Sequence, residues 1–263
     1  IGTLRNLKEI SEKSNRSKEL IKILQNIKIK PVLTAHPTQF YPGSVLGIIT
    51  DLSNAINDNN LIEIKKLLSQ LGKTPFFKKK KPSPFDEAVS LTWYLENVFY
   101  NSISNIQKYI KSNIADFDFK NFDLVSLGFW PGGDRDGNPY VTNEITIKTA
   151  LKLRSDIIKN YYRDVSKLRR RLTFKNVEEV ITDIENRLYK SFNQNTDQTS
   201  ISLDELKEKL NFIKEEVSQN HESLYMDEIN DLIDKINIFG YHFASLDIRQ
   251  DSSIHNDVFE KIL

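Results

Sequence analysis

Three short apolar runs, Pro31–Ala35, Leu124–Trp130 and Tyr241–Ile248, interrupt a sequence that otherwise carries helical periodicity. Such runs suit strands rather than helices, and strands separated by helical stretches point to a parallel sheet or barrel. The gaps between them are several helices long, so the expected fold is mostly α-helical α/β, a barrel with large helical insertions. Ser202-Leu203-Asp204-Glu205 forms a capping-box sequence, and Leu203, Leu206, Leu210, Ile213 and Val217 then recur at three- and four-residue steps. Ser83-Pro84-Phe85-Asp86 opens another helix the same way, with Pro84 at the first helical position. That helix runs through Trp93, Tyr94, Leu95, Val98 and Phe99, an aromatic face expected to be buried. Thr142 and Glu144 open a third, carrying Leu151, Leu153, Ile157 and Ile158. Helices are also expected near 4–27, 44–57, 60–71, 177–192 and 222–237.

Each apolar run ends in a polar cluster: His36-Pro37-Thr38, Gly132 to Pro139, and Arg249-Gln250-Asp251. In parallel barrels the catalytic groups gather at the carboxyl ends of the strands, which makes these three clusters the candidate site. The second is Gly132-Gly133-Asp134-Arg135-Asp136-Gly137-Asn138-Pro139. Its glycines permit backbone angles closed to other residues and let a ligand approach closely. The same residue types also make ordinary turns, and an Asp-Arg pair can tie a loop down. A calcium loop is excluded by spacing, because Pro139 stands where glycine is required and Ile145 where glutamate is required. No GxGxxG pattern and no Gly-Lys-Ser/Thr follows, which excludes the dinucleotide and P-loop readings.

His36 closes the run Val32-Leu33-Thr34-Ala35 and precedes Pro37, which biases its backbone toward an extended conformation. An imidazole at the mouth of a sheet can serve as general acid, general base or hydrogen-bond donor. Arg249 emerges where the third run leaves the core, and its planar fork suits a carboxylate or phosphate. An ion pair between Asp247 and Arg249 is the structural alternative, since i and i+2 share a strand face. Two arginines, Arg135 and Arg249, with His36 imply an anionic ligand. His242 falls inside an expected strand, His221 at an exposed polar helix start, and His255 in a stretch without a signal. No His/Asp/Glu spacing offers a closed metal site, so no metal ligand is assigned in this chain.

Lysines and arginines number 37 against 36 acids, a net charge of +1 that argues for neither nucleic-acid nor membrane partners. The Lys78–Lys81 run reads as a solvated connection. The chain has no cysteine, which excludes disulfides and thiolate metal sites and fits a reducing compartment. No apolar run approaches a membrane span in length, and no signal peptide opens the sequence. It begins at Ile1 rather than Met, and we expect a piece of a longer protein.

Val32-Leu33-Thr34-Ala35-His36-Pro37-Thr38-Gln39, the Gly132 to Pro139 loop, and Phe239-Gly240 with Leu246-Asp247-Ile248-Arg249-Gln250-Asp251-Ser252 resemble three ordered blocks of the phosphoenolpyruvate carboxylase family. Lys81-Pro82, Asp86-Glu87, Trp93-Tyr94 and Glu96-Asn97 resemble a fourth. The likeness covers nearly the whole chain but only an interior part of the family's amino-terminal half. It implies that residues 1–263 are a single partial domain, a partial (β/α) TIM-like barrel with three strands in this chain. It implies a cytoplasmic lyase, a homo-oligomer (tetrameric in the family), that joins bicarbonate to phosphoenolpyruvate with Mg2+, giving oxaloacetate and phosphate. This is carbon dioxide fixation that feeds the tricarboxylic acid cycle. By the same resemblance His36 is catalytic, Arg249 binds substrate phosphate, and Arg135 is a nearby anion contact or a brace for its loop.

The family's metal-binding carboxylates, active-site lysine and other phosphate-binding arginines are expected beyond Leu263, so the isolated chain is expected to be inactive. This sequence departs from the family after Thr38, where Gln39 replaces glutamate and Pro42 stands where a cation is expected; Pro131 and Asp251 are milder departures. The alternative from another class is a non-catalytic helical anion-binding module derived from the same fold.

Overall fold

The computed structural model describes residues 3–34, 41–76, 82–114, 124–136, 138–193 and 200–262. Eleven α-helices surround one small sheet among these residues: α1 (Leu4–Lys13), α2 (Ser17–Asn26), α3 (Gly43–Asn57), α4 (Leu61–Lys73), α5 (Pro84–Tyr94), α6 (Tyr100–Asn113), α7 (Asn143–Arg169), α8 (Glu178–Asn193), α9 (Leu203–Asn220), α10 (Met226–Phe239) and α11 (Ser252–Ile262). The strands are β1 (Val32–Leu33), β2 (Gly128–Phe129) and β3 (Ser245–Leu246). They pair in parallel in the order β1-β2-β3, with Val32 opposite Gly128 and Gly128 opposite Ser245.

All three expected strands exist, in the expected parallel arrangement, but each is far shorter than its apolar run. The excess serves other contacts. Leu124 and Leu127 are buried in clusters beside the sheet, and Ile29 makes a separate parallel bridge to Val125. Tyr241 and Phe243 lie ahead of β3, buried, and the Tyr241 hydroxyl donates to the Ile201 carbonyl at 2.8 Å. His242 is therefore in a turn and exposed, not in a strand.

The main core is helical. Leu153, Ile157, Ile158, Tyr161, Val165 and Leu168 of α7 interlock with Ile181, Ile184 and Leu188 of α8 and with the buried stripes of α9 and α10. In α9 that stripe is Leu206, Leu210, Ile213 and Val217, as the periodicity predicts. Ser202 caps α9 by accepting from the Glu205 amide, but the reciprocal half of the capping box is missing. Glu205 instead pairs with Arg187 of α8, whose guanidinium also donates to the Ser200 carbonyl at 2.6 Å. A charged partner outcompetes the local backbone amide for this carboxylate. At α5 Ser83 and Asp86 form the full box.

The segment expected as one helix over 4–27 is two, broken where Asn15 takes a left-handed φ of 55°. A further correction concerns the aromatic face. Trp93, Tyr94 and Val98 are exposed, and the buried side carries Ala88, Thr92, Leu95, Tyr100, Ile103 and Ile110. Leu95–Phe99 forms a π-helical turn between α5 and α6, which fits the five-residue step from Leu95 to Tyr100. His221 caps the C-terminus of α9 rather than starting a helix, with its ring stacked on Phe174 at 4.8 Å. The helix α11, which contains His255, had no sequence signal and buries none of its residues.

Candidate functional site

Two of the three candidate clusters fall in described residues, at the carboxyl ends of β2 and β3. His36 lies outside the described residues. The β2 ladder runs on past its strand, with the Trp130 amide donating to the Leu33 carbonyl at 3.0 Å. Asp247 does the same for β3 by donating its amide to Phe129 at 2.9 Å. The chain then turns tightly, the Gly133 and Asp134 amides both donating to the Trp130 carbonyl. After the turn it rejoins the extension of β3. The Arg135 amide donates to the Arg249 carbonyl at 2.9 Å, and the Arg249 amide to the Gly133 carbonyl at 3.1 Å. The glycine loop and the Arg249 cluster are thus stitched together through their backbones.

Glycine is required at both early loop positions. Gly132 has φ +79°, and a β-carbon there would lie 2.2 Å from Thr149 Oγ1. At Gly133 a β-carbon would lie 2.4 Å from the Asp247 carbonyl oxygen, so any side chain would push β3 away.

The two arginines take different directions. Arg135 turns back into the protein, its Nη2 donating to Thr146 Oγ1 at 3.1 Å, while that hydroxyl donates to the Gly132 carbonyl at 2.7 Å. Its Nε is buried without a partner, as is Asp134 Oδ1. Arg249 faces outward and is half-exposed, with its guanidinium carbon 4.7 Å from the centre of the Trp130 ring. Asp134 Oδ2 approaches Arg249 Nη1 only to 3.7 Å, beyond hydrogen-bond length. The alternative pairing between Asp247 and Arg249 is not formed. Asp247 accepts from Trp130 Nε1 at 3.1 Å and from Lys30 Nζ at 3.2 Å. Asp136 is exposed, and Asn138 serves the turn, its Oδ1 accepting from the Tyr140 amide at 3.2 Å.

Trp130, Asp247, Lys30 and Thr146 therefore belong to the site beside the residues that the sequence singles out. Trp130 and Asp247 could have been found from their positions at the two strand ends. Lys30 and Thr146 carry no comparable signal, because each arrives from a different element.

Among the described residues no three His, Asp or Glu side chains gather in a way that could hold a metal ion. A cleft of about 530 Å³ lies between α6, α7 and α10, but it shares no residue with the strand ends. Most of its charged groups pair with one another: Arg171 with Glu228, Lys167 with Asp164, and Lys235 with both Asp164 and Asp231. Lys235 is almost wholly buried there, its ammonium 4.5 Å from the centre of the Tyr100 ring. Burial alone would lower the Lys235 pKa and raise that of Asp231. The hydrogen bond from Lys235 to Asp231, with those that Ser104 donates to Asp231 and Lys235 donates to Asp164, reverses both directions. The cleft is an internal ion-pair network, distinct from the strand-end site.

The described chain is thus a mostly helical α/β protein in which parallel strands present an outward arginine beside a glycine loop. A family model described as phosphoenolpyruvate carboxylase matches residues 2–202 and 185–263, and the chain belongs to that family. Among curated proteins it is 24% identical to a phosphoenolpyruvate carboxylase of Haemophilus influenzae, with 97% of this chain and 34% of the relative aligned. It is 25% identical to those of Prochlorococcus marinus and Shewanella loihica, with 93% of this chain aligned in each case and 32% and 33% of the relatives. The chain spans about a third of the length of these relatives. No helix among the described residues is long and apolar enough to cross a membrane.

Proposed function

We propose that this chain is one part of an enzyme that carboxylates phosphoenolpyruvate with bicarbonate, giving oxaloacetate and phosphate. Its residues form a single partial domain, one wall of a (β/α) TIM-like barrel completed by other parts of the protein. The observation that carries this reading is Arg249, half-exposed at a parallel strand end, with the Asp134 carboxylate no nearer than 3.7 Å and making no bidentate pair with it. A guanidinium there can offset phosphoryl charge through paired N–H groups.

In the proposed reaction a bicarbonate oxygen attacks phosphorus and the bond from phosphorus to the enol oxygen breaks. Carboxyphosphate and the enolate of pyruvate result. Carboxyphosphate then splits its carbon–oxygen bond to give carbon dioxide and phosphate, and the enolate carbon captures the carbon dioxide. Arg249 binds the substrate phosphate, and His36 holds and moves the carboxyphosphate proton. Arg135 keeps the glycine loop in place against Thr146. A divalent metal, Mg2+ in this reading, is expected to be held by residues outside this chain, as the family resemblance implies. The assembled enzyme is expected to be a cytoplasmic homo-oligomer.

The test is a coupled assay for oxaloacetate on the protein encoded by the complete reading frame, with and without bicarbonate. Bicarbonate-dependent product is expected, and its absence would overturn the reading in favour of a non-catalytic anion-binding module. In that protein His36→Asn should abolish oxaloacetate formation while sparing phosphoenolpyruvate binding.

A further inference from the structure

Asp247 and Arg249 stand two residues apart at the end of β3, and the acid turns away from its basic neighbour. Its Oδ2 accepts the indole N–H of Trp130 at 3.1 Å, and its Oδ1 takes the Lys30 ammonium at 3.2 Å. Trp130 in turn lies against the Arg249 guanidinium, 4.7 Å from ring centre to guanidinium carbon. A guanidinium directs its five N–H groups within its own plane. Contact through the ring therefore holds the group while leaving N–H donors free, whereas a bidentate carboxylate would occupy and neutralise them. Lys30 also offsets the charge of Asp247, which would otherwise repel an anion bound at Arg249.

Three elements supply this chain of contacts: Lys30 precedes β1, Trp130 follows β2, and Asp247 and Arg249 follow β3. We propose that Asp247, secured by Lys30, is a positioning residue that fixes the Trp130 ring and through it the Arg249 fork for the substrate phosphate. The proposal rests on the reading of Arg249 given above. It predicts that Asp247 acts only through Arg249.

The experiment is a set of KM and kcat measurements for phosphoenolpyruvate on the enzyme encoded by the complete reading frame. Asp247→Asn and Trp130→Leu should each raise KM about tenfold with a smaller change in kcat. Lys30→Gln, at a partly exposed position, should raise KM about threefold. Adding Asp247→Asn to Arg249→Gln should change KM no further, because contacts in one chain are not additive. An unchanged KM in Asp247→Asn, or the same rise in the Arg249→Gln background, overturns the proposal.

If Arg249→Gln itself leaves KM unchanged, the reading of Arg249 as the phosphate contact fails instead. A second readout is independent of activity. In the enzyme encoded by the complete reading frame, Asp247→Asn and Lys30→Gln should move both the Trp130 indole N–H and the Arg249 Nε–H resonances. Movement of the first without the second would show that the ring does not hold the guanidinium, and the proposal falls.

Discussion

Gly132 and Thr149 approach so closely that a β-carbon on the glycine would sit 2.2 Å from the threonine hydroxyl oxygen. Gly132→Ala therefore meets both a clash and an unfavourable φ of +79°. We expect a loss of roughly 2–4 kcal/mol in urea unfolding of this chain. A loss below about 1 kcal/mol would mean that the loop relaxes freely and that its glycine is dispensable.

The same contact leaves Thr149 Oγ1 buried without a hydrogen-bond partner. Thr149→Val keeps the branched shape and removes the unsatisfied hydroxyl. It should be neutral or stabilising by up to about 1 kcal/mol. Marked destabilisation by denaturant titration would show that the hydroxyl has a partner after all.

Lys235 joins α10 to Asp164 of α7 and is also linked to Asp231 on its own helix. Lys235→Met removes the cation that Asp164 and Asp231 share, leaving Asp164 with Lys167 and Tyr100 and Asp231 with Ser104, and should cost about 2–3 kcal/mol near neutral pH. The pH dependence has a definite sign. Asp231 has a lowered folded pKa: burial opposes the charge, but the hydrogen bonds from Lys235 and Ser104 prevail. Its stabilising contribution is complete above the unfolded value of about 3.9 and is lost as pH falls through the lowered folded value. The gap in melting temperature between wild type and Lys235→Met should therefore narrow on acidification below about pH 4. A gap that stays constant down to pH 2.5 would exclude Asp231 as the source.

Arg249→Lys keeps the charge but loses the planar fork and its contact with Trp130. In the complete enzyme it should weaken phosphoenolpyruvate binding by at least about tenfold, read as KM or by competition with inorganic phosphate. Equal affinity in the variant would reduce Arg249 to a point charge.

The helices and the parallel strands were legible because their signals are local. The 3–4 spacing of Leu206, Leu210, Ile213 and Val217 requires one buried face, and that face is the one found. The exposure of Trp93 has no such local signal, because aromatic content alone does not say which side of a helix is covered, and a π turn intervenes. The sequence also marks Arg135 and Arg249 as site residues, and their backbones do meet. What it does not reveal is the division of labour between them. That depends on Thr146, Trp130 and Lys30, which come close only after folding brings distant segments together. The missing half of the box at Ser202 has the same origin: Arg187, on another helix, claims Glu205.

The wide turn at Leu95–Phe99 also bears on how length variation can be tolerated in this region. Because the buried sides of α5 and α6 meet across five residues rather than three or four, the two helices are out of phase by roughly one position of an ideal helix. A deletion of one residue within the turn would therefore do more than shorten a helix. It would bring Ala88, Thr92 and Leu95 into regular three- and four-residue steps with Tyr100, Ile103 and Ile110, so that one unbroken α-helix could keep the same face buried.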